Sequence, residues 1–452
     1  MDTLFGLSHN ASLLLYAAIS IAGLIFLIAK FKLNPFIALI IAGLFMGLVS
    51  GMKLGDIAKA YQTGVGNVLG FIAIVLGLGT MLGKLMAESG GAERLAGTMV
   101  RVFGEKRVHW VMMVVAFICG IPVFLQVGVV LLIPLVFTLA KKTGTSLIKI
   151  GIAMVAGLSV VHSLVPPHPA ALAAVGILHA DIGKTILLSL IVGLPSAAIA
   201  GPLFSSWIAK RVHVEPSKEL MEQFSVSETK NLPGFGITLF TILLPIILML
   251  ITTVVDFTIP EGNVFRMWID FIGTPITSLL IALLVAMYTF GFSRGLTANR
   301  LAKITNDCLA PTASIILIIG AGGGFNAVLT ASGVGDAIAA YATSAHISLL
   351  FLGWIIAGLI RASVGSATVA MTTAAGIVAP IAATVPGTNL ELLVLATGSG
   401  SIMLSHVNDS GFWLIKEYFN MSVAETLKTW TAMETILSFV SFGFILILSL
   451  FI

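Results

Sequence analysis

The chain has 452 residues, 58% of them hydrophobic and only 10% charged, with net charge +4 and mean hydropathy +1.08. A water-soluble domain carries about 25% charged residues, so this composition excludes a soluble enzyme and leaves a bilayer as the solvent, since lipid tolerates apolar side chains and rejects charge. The two cysteines, Cys119 and Cys308, lie in or beside apolar stretches and read as packing residues, not a disulfide framework.

No cleavable signal peptide is expected, because Asp2 and no Lys or Arg precedes the first apolar run at 11–29. Lys30 and Lys32 follow that run, which places the N-terminus outside and the first short loop inside. At about 20 residues per crossing, spans are expected at 12–29, 33–51, 67–87, 108–140, 149–178, 185–207, 235–255, 271–292, 309–330, 346–384, 390–413 and 432–452. Segments 108–140, 149–178 and 346–384 are too long for one crossing. They are interrupted by Gly120 and Pro122, by Pro166, Pro167 and Pro169, and by Gly365, Gly376 and Pro380. Each reads as a broken helix or a re-entrant hairpin; the alternative is two ordinary helices with a tight turn.

The polar stretch 210–230 splits the chain near its middle and is placed inside. The loop 256–270 carries three acids against Arg266 and is placed outside. The division is therefore a first membrane repeat over 1–209, a cytoplasmic linker over 210–234 and a second repeat over 235–452.

Four short matches recur in order between the halves. Segment 88–96 resembles 331–339, Asp181 to Thr185 resembles Ser422 to Thr426, Val127 and Gly128 align with Val364 and Gly365, and Asn34-Pro35 aligns with Thr274-Pro275. The shifts are 243, 241, 237 and 240. The loop after the first match holds Arg94, Arg101, Lys106 and Arg107, whereas 331–346 holds no Lys or Arg. The two loops are thus expected on opposite faces. The expected fold is an all-α polytopic membrane protein built from two inverted repeats, with the solute near the midplane where broken helices meet.

Soluble-enzyme motifs are absent. Segment 77–84 lacks the phosphate-loop spacing, and the glycines of 320–324 suit close helix packing. Four places are unusual at membrane depth. In 120–128, Gln126 sits beside Gly and Pro breaks and could face a solute or bond a neighbouring helix. In 162–169, prolines free backbone carbonyls; His162 and His168 could carry a proton or bind a hydroxyl, or simply satisfy a structural turn. In 361–373, Arg361 stands over Ser363, Gly365, Ser366 and Thr368, a set suited to a carboxylate and hydroxyls; the alternative is an Arg snorkelling to headgroups. In 405–413, His406, Asn408 and Asp409 follow an apolar run, where an acid defaults to a functional reading; the alternative is a capped helix end.

Residues 165–169, 179–185, 365–370 and 405–413 resemble the gluconate permease family of the ion transporter superfamily, and the similarity covers nearly the whole chain. The resemblance implies proton-coupled import of gluconate or a related sugar acid across the inner membrane. It also implies a homodimer, a scaffold with a mobile transport domain, and two re-entrant hairpins. A sister branch imports D-serine, and Pro169-Ala-Ala-Leu172 leans that way, while Arg361 and 405–413 lean to gluconate. A passive anion channel and a membrane-embedded enzyme are the alternatives from other classes. No cofactor, metal or nucleic acid is expected.

The expected solute site comprises Gln126, Val127, Gly128, His162, His168, Arg361, Ser363, Gly365, Ser366, Thr368 and Asn408. Asp409 and His168 are proton candidates. The family carries an acid where this chain has Gln126, which cannot titrate. Either coupling uses another group, such as Asp409 or a histidine, or this chain is a variant with impaired coupling that still binds solute.

Overall fold

The computed structural model describes residues 8–214, 232–260, 262–334, 337, 348–385, 387–406 and 409–452, and every regular element among them is helical. Helix α1 (His9–Ala29) starts at Ser8, whose hydroxyl accepts the Ala11 N–H. Helix α2 (Pro35–Val49) starts at Asn34 with proline in its first turn. Both devices deal with the N–H groups that a helix start leaves unpaired. Helix α3 (Leu54–Glu88) runs 35 residues and begins well before the expected crossing at 67. Asp56 lowers hydropathy there, yet it lies in the first turn, where a carboxylate suits the helix dipole.

The break expected in 108–140 is present. Helix α4 (Gly91–Phe103) leads into α5 (Val108–Gly120), which stops at Gly120, and α6 (Leu125–Thr143) restarts beyond Pro122. With 13 residues at ~1.5 Å each, α5 falls short of the ~30 Å hydrocarbon core. Helices α7 (Leu147–Leu164) and α8 (Pro169–Leu178) are separated at the cis Pro166-Pro167 bond. Helix α9 (Ile182–Ile208) is capped by Asp181.

The second half holds α10 (Phe235–Thr258), α11 (Val264–Gly273), α12 (Pro275–Arg294), α13 (Ala298–Asp307) and α14 (Ala310–Ala331). Then come α15 (Leu349–Val364), α16 (Ala367–Ala382), α17 (Leu390–Gly400), α18 (Ser410–Tyr418) and α19 (Val423–Leu448). Among the described residues, eight helices are long and apolar enough to cross a membrane.

Several expectations need correction. The break in 346–384 lies only at Gly365, which adopts φ +77 just past α15. Gly376 and Pro380 sit inside α16: the proline falls in the last turn, and the glycine lets α16 pass within 3.1 Å of Asn326 Cβ, measured from an added Cβ. Segment 390–413 is two short helices, not one crossing. Half of the 256–270 loop belongs to α11, whose Val264, Phe265, Met267, Trp268 and Phe271 face outward. Ten residues are too few for a span, so that helix was hidden in a loop.

Five helix starts in the first half recur in the second at a nearly constant offset. Pro35 and Pro275 are 240 apart, Val108 and Leu349 241, Leu125 and Ala367 242, Leu147 and Leu390 243, and Ile182 and Val423 241. The sequence match of Gly128 to Gly365 does not share this register. Gly128 lies in the first turn of α6, whereas Gly365 lies between α15 and α16.

Every residue of α7 except Lys149 is buried, and so are nearly all of α8 and α17. A helix apolar on all faces belongs at the centre of a bundle. Helix α8 packs on α16 and α17 there, while α3 packs along α14. That last pair meets on glycine, as expected for 320–324: a Cβ on Gly64 would lie 2.4 Å from the Gly323 carbonyl oxygen. The breaks after α5, α15 and α17 meet beside α7.

Candidate functional site

A cavity of about 140 Å³ opens where the starts of α6 and α16 approach each other. Phe124, Leu125 and Gln126 line it from α6; Gly365, Ser366, Ala367, Thr368 and Val369 from α16 and the turn before it. Ser159 and His162 come from α7, Ile318 from α14, and Arg361 from the last turn of α15. Ile402 and Asp409 flank the gap between α17 and α18, and Trp430 and Glu434 come from α19. The volume suits one small solute.

Its electrostatics follow from how the helices end. A helix start presents free N–H groups and partial positive charge. Phe124, at the cap position of α6, makes no side-chain cap bond. At α16 the Ser366 hydroxyl accepts the Val369 N–H at 3.4 Å. Two helix starts aimed at one cavity favour an anion.

Arg361 is 3% exposed, which rules out the snorkelling alternative. Its Nη2 donates to Asp409 Oδ2 at 2.5 Å. Nε and Nη1 are buried with no hydrogen-bond partner among the described residues. Asp409 is equally enclosed. Its Oδ1 accepts the Gly411 N–H at 2.9 Å, capping α18, and the Ser405 hydroxyl donates to Oδ2. Trp430 Nε1 donates to Ser405 Oγ at 2.8 Å, and the Thr431 hydroxyl donates to the Ser405 carbonyl. Asp409 therefore caps a helix, as the alternative had it, and also pairs with Arg361, which the sequence did not indicate.

The remaining expected residues separate. His162 faces the cavity, and His168 stands behind it, with His162 Nδ1 3.1 Å from His168 Nε2. His406 Nε2 lies 3.0 Å from the Ala362 carbonyl oxygen. Val127 is 44% exposed and points away from the cavity, and Gly128 packs on Leu158, so neither lines the site. Asn408 lies outside the described residues, as does the side chain of Ser363.

Glu434 escaped the sequence reading. It is 2% exposed, and its Oε1 accepts the Ser159 hydroxyl across the cavity wall. The signal was available: an acid inside the apolar run that became α19.

The family profile described as GntP family permease matches residues 12–451. The chain is 59% identical to a gluconate permease of Pseudomonas aeruginosa over 448 residues, covering 99% of this chain and 100% of the relative. It is 41% identical to the high-affinity gluconate transporter of Escherichia coli, covering 94% and 96%. It is 42% identical to the D-serine transporter DsdX of Escherichia coli, covering 96% and 97%. The fold resembles the crystal structure of the Alcanivorax borkumensis YdaH transporter, with TM-score 0.66, 16% identity and coverage of 93% and 99%. The chain therefore belongs to the GntP permease family and is a multi-pass transporter of the inner membrane, not an enzyme.

Proposed function

We propose that this chain is a proton-coupled importer of gluconate or a close sugar acid. The observation that carries the reading is Arg361, buried beside two helix starts with Nε and Nη1 open for an acceptor. A guanidinium fork and helix N–H groups suit a carboxylate. Ser366, Thr368 and the Gln126 amide line the same space and can bond hydroxyls of a polyol chain. His162 joins them, with His168 as its support.

A D-serine importer is the second reading. It draws on the 42% identity to a D-serine transporter and on two carboxyl groups, Asp409 and Glu434, that could meet an ammonium. A competition panel in proteoliposomes separates the two. Labelled gluconate uptake is expected to fall with excess gluconate or a related sugar acid and to persist with equal D-serine. Stronger competition by D-serine would reverse the assignment.

The architecture we propose has two inverted repeats over 1–209 and 235–452, joined by a cytoplasmic linker over 210–234. Helices α5–α6 and α15–α16 form re-entrant hairpins in a mobile transport domain, and two copies assemble through a scaffold. The shared helix offsets and the Lys/Arg contrast between 88–107 and 331–346 support it. In a background free of Cys119 and Cys308, Glu105→Cys and Ala331→Cys are expected to react with an impermeant thiol reagent from opposite faces. Labelling of both from one face would remove the inversion.

A further inference from the structure

The cavity holds two carboxyl groups, and their surroundings differ. Both Asp409 oxygens are engaged, Oδ2 by Arg361 and Ser405 and Oδ1 by the Gly411 N–H. Taking the charge from Asp409 would leave Arg361 alone in a buried site. Glu434 has a different setting. Ser159 is its hydrogen-bond partner, and among the described residues no cation lies within ion-pair distance of it. An ionised carboxylate so placed is costly, and a protonated one is not.

We propose that Glu434, bonded to Ser159 in the cavity that Arg361 also lines, carries the coupled proton. The inference rests on the importer reading above and names the group that performs its coupling. The charges explain why solute and proton would travel together. Arg361 and Asp409 balance each other before solute enters. An incoming carboxylate takes the free N–H groups of Arg361 and brings a second negative charge next to Asp409. A further charge on Glu434 would oppose it. A proton on the Glu434 carboxyl removes that opposition, so anion and proton each raise the affinity for the other by the same factor.

The other charged and titratable groups facing the cavity are Arg361, Asp409 and His162. His162 is engaged with His168, itself buried against Phe124. Coupling at Glu434 requires no acid at position 126, so Gln126 can serve as an uncharged solute ligand.

Gluconate binding to the purified full chain, followed by calorimetry across pH, is the first test. In the unsubstituted protein, affinity should fall as pH rises, by up to about tenfold per unit for one linked proton. In Glu434→Gln, gluconate should still bind, with an affinity that no longer changes with pH. In proteoliposomes that variant should exchange labelled for unlabelled gluconate yet fail to accumulate it under an imposed proton gradient. Glu434→Asp should keep the pH slope, displaced along the axis.

A pH slope or gradient-driven accumulation surviving in Glu434→Gln would overturn the proposal and point to His162. Loss of gluconate binding in a Glu434→Gln protein that still elutes as a single species would also overturn it, making Glu434 a solute ligand. Absence of a slope and of accumulation in the unsubstituted protein would instead defeat the proton-coupled reading itself.

Discussion

Arg361→Ala is expected to abolish gluconate uptake, and Arg361→Lys to leave a reduced rate. The guanidinium is buried, pairs with Asp409 through Nη2 and holds Nε and Nη1 free of protein partners among the described residues. Lysine keeps the charge but supplies a point donor in place of the planar fork, so it cannot hold Asp409 and a carboxylate in the same geometry. Truncating one member of a buried, hydrogen-bonded charge pair costs about 2–5 kcal/mol, which predicts a loss of affinity of roughly 30-fold or more for the alanine variant. Uptake per transporter, normalised to the amount in the membrane, is the measurement. Normal uptake by Arg361→Ala would confine this residue to a structural role.

Asp409→Asn should act first on stability. Asparagine still caps a helix well, so the change isolates the charge while sparing the start of α18. It leaves Arg361 buried without its carboxylate, a situation that costs about 3–5 kcal/mol. Thermal unfolding in detergent should show a large drop for Asp409→Asn. Arg361→Gln combined with Asp409→Asn should recover part of it, because the double change removes both charges. Transport should stay absent in the double variant, which lacks the anion ligand. If Asp409→Asn unfolds like the unsubstituted protein, the pair does not hold the site together.

Much of the site was legible in the residues, because a break at membrane depth needs Gly or Pro and leaves a visible mark. Gly120 with Pro122, the 166–169 prolines and Gly365 all proved to be real breaks. Arg361 and Asp409 each stood out as charges in apolar surroundings. Their pairing did not, since they are 48 residues apart and only the fold brings them to 2.5 Å. That pairing moves the proton assignment we propose from Asp409 to Glu434.

Glu434 was passed over because one acid barely lowers the hydropathy of a 17-residue apolar helix segment. Gly376 and Pro380 misled in the opposite direction. Composition registers a helix breaker, but not that Gly376 packs closely on Asn326 inside α16, or that the hydrogen bond forfeited at Pro380 falls near the end of that helix. Helices α11 and α13 were lost for want of length, each with only 10 residues. Gly128 and Gly365 share a dipeptide but not a place in the fold, one lying in the first turn of α6 and the other ahead of α16.

Accumulation of labelled gluconate in proteoliposomes under an imposed inward proton gradient, with no other ion gradient present, bears most directly on the importer reading. Gluconate should rise inside above its external concentration and leak back when a protonophore collapses the gradient. Equilibration to the external level, with or without the gradient, would contradict proton-coupled import and leave a passive pathway for organic anions in its place.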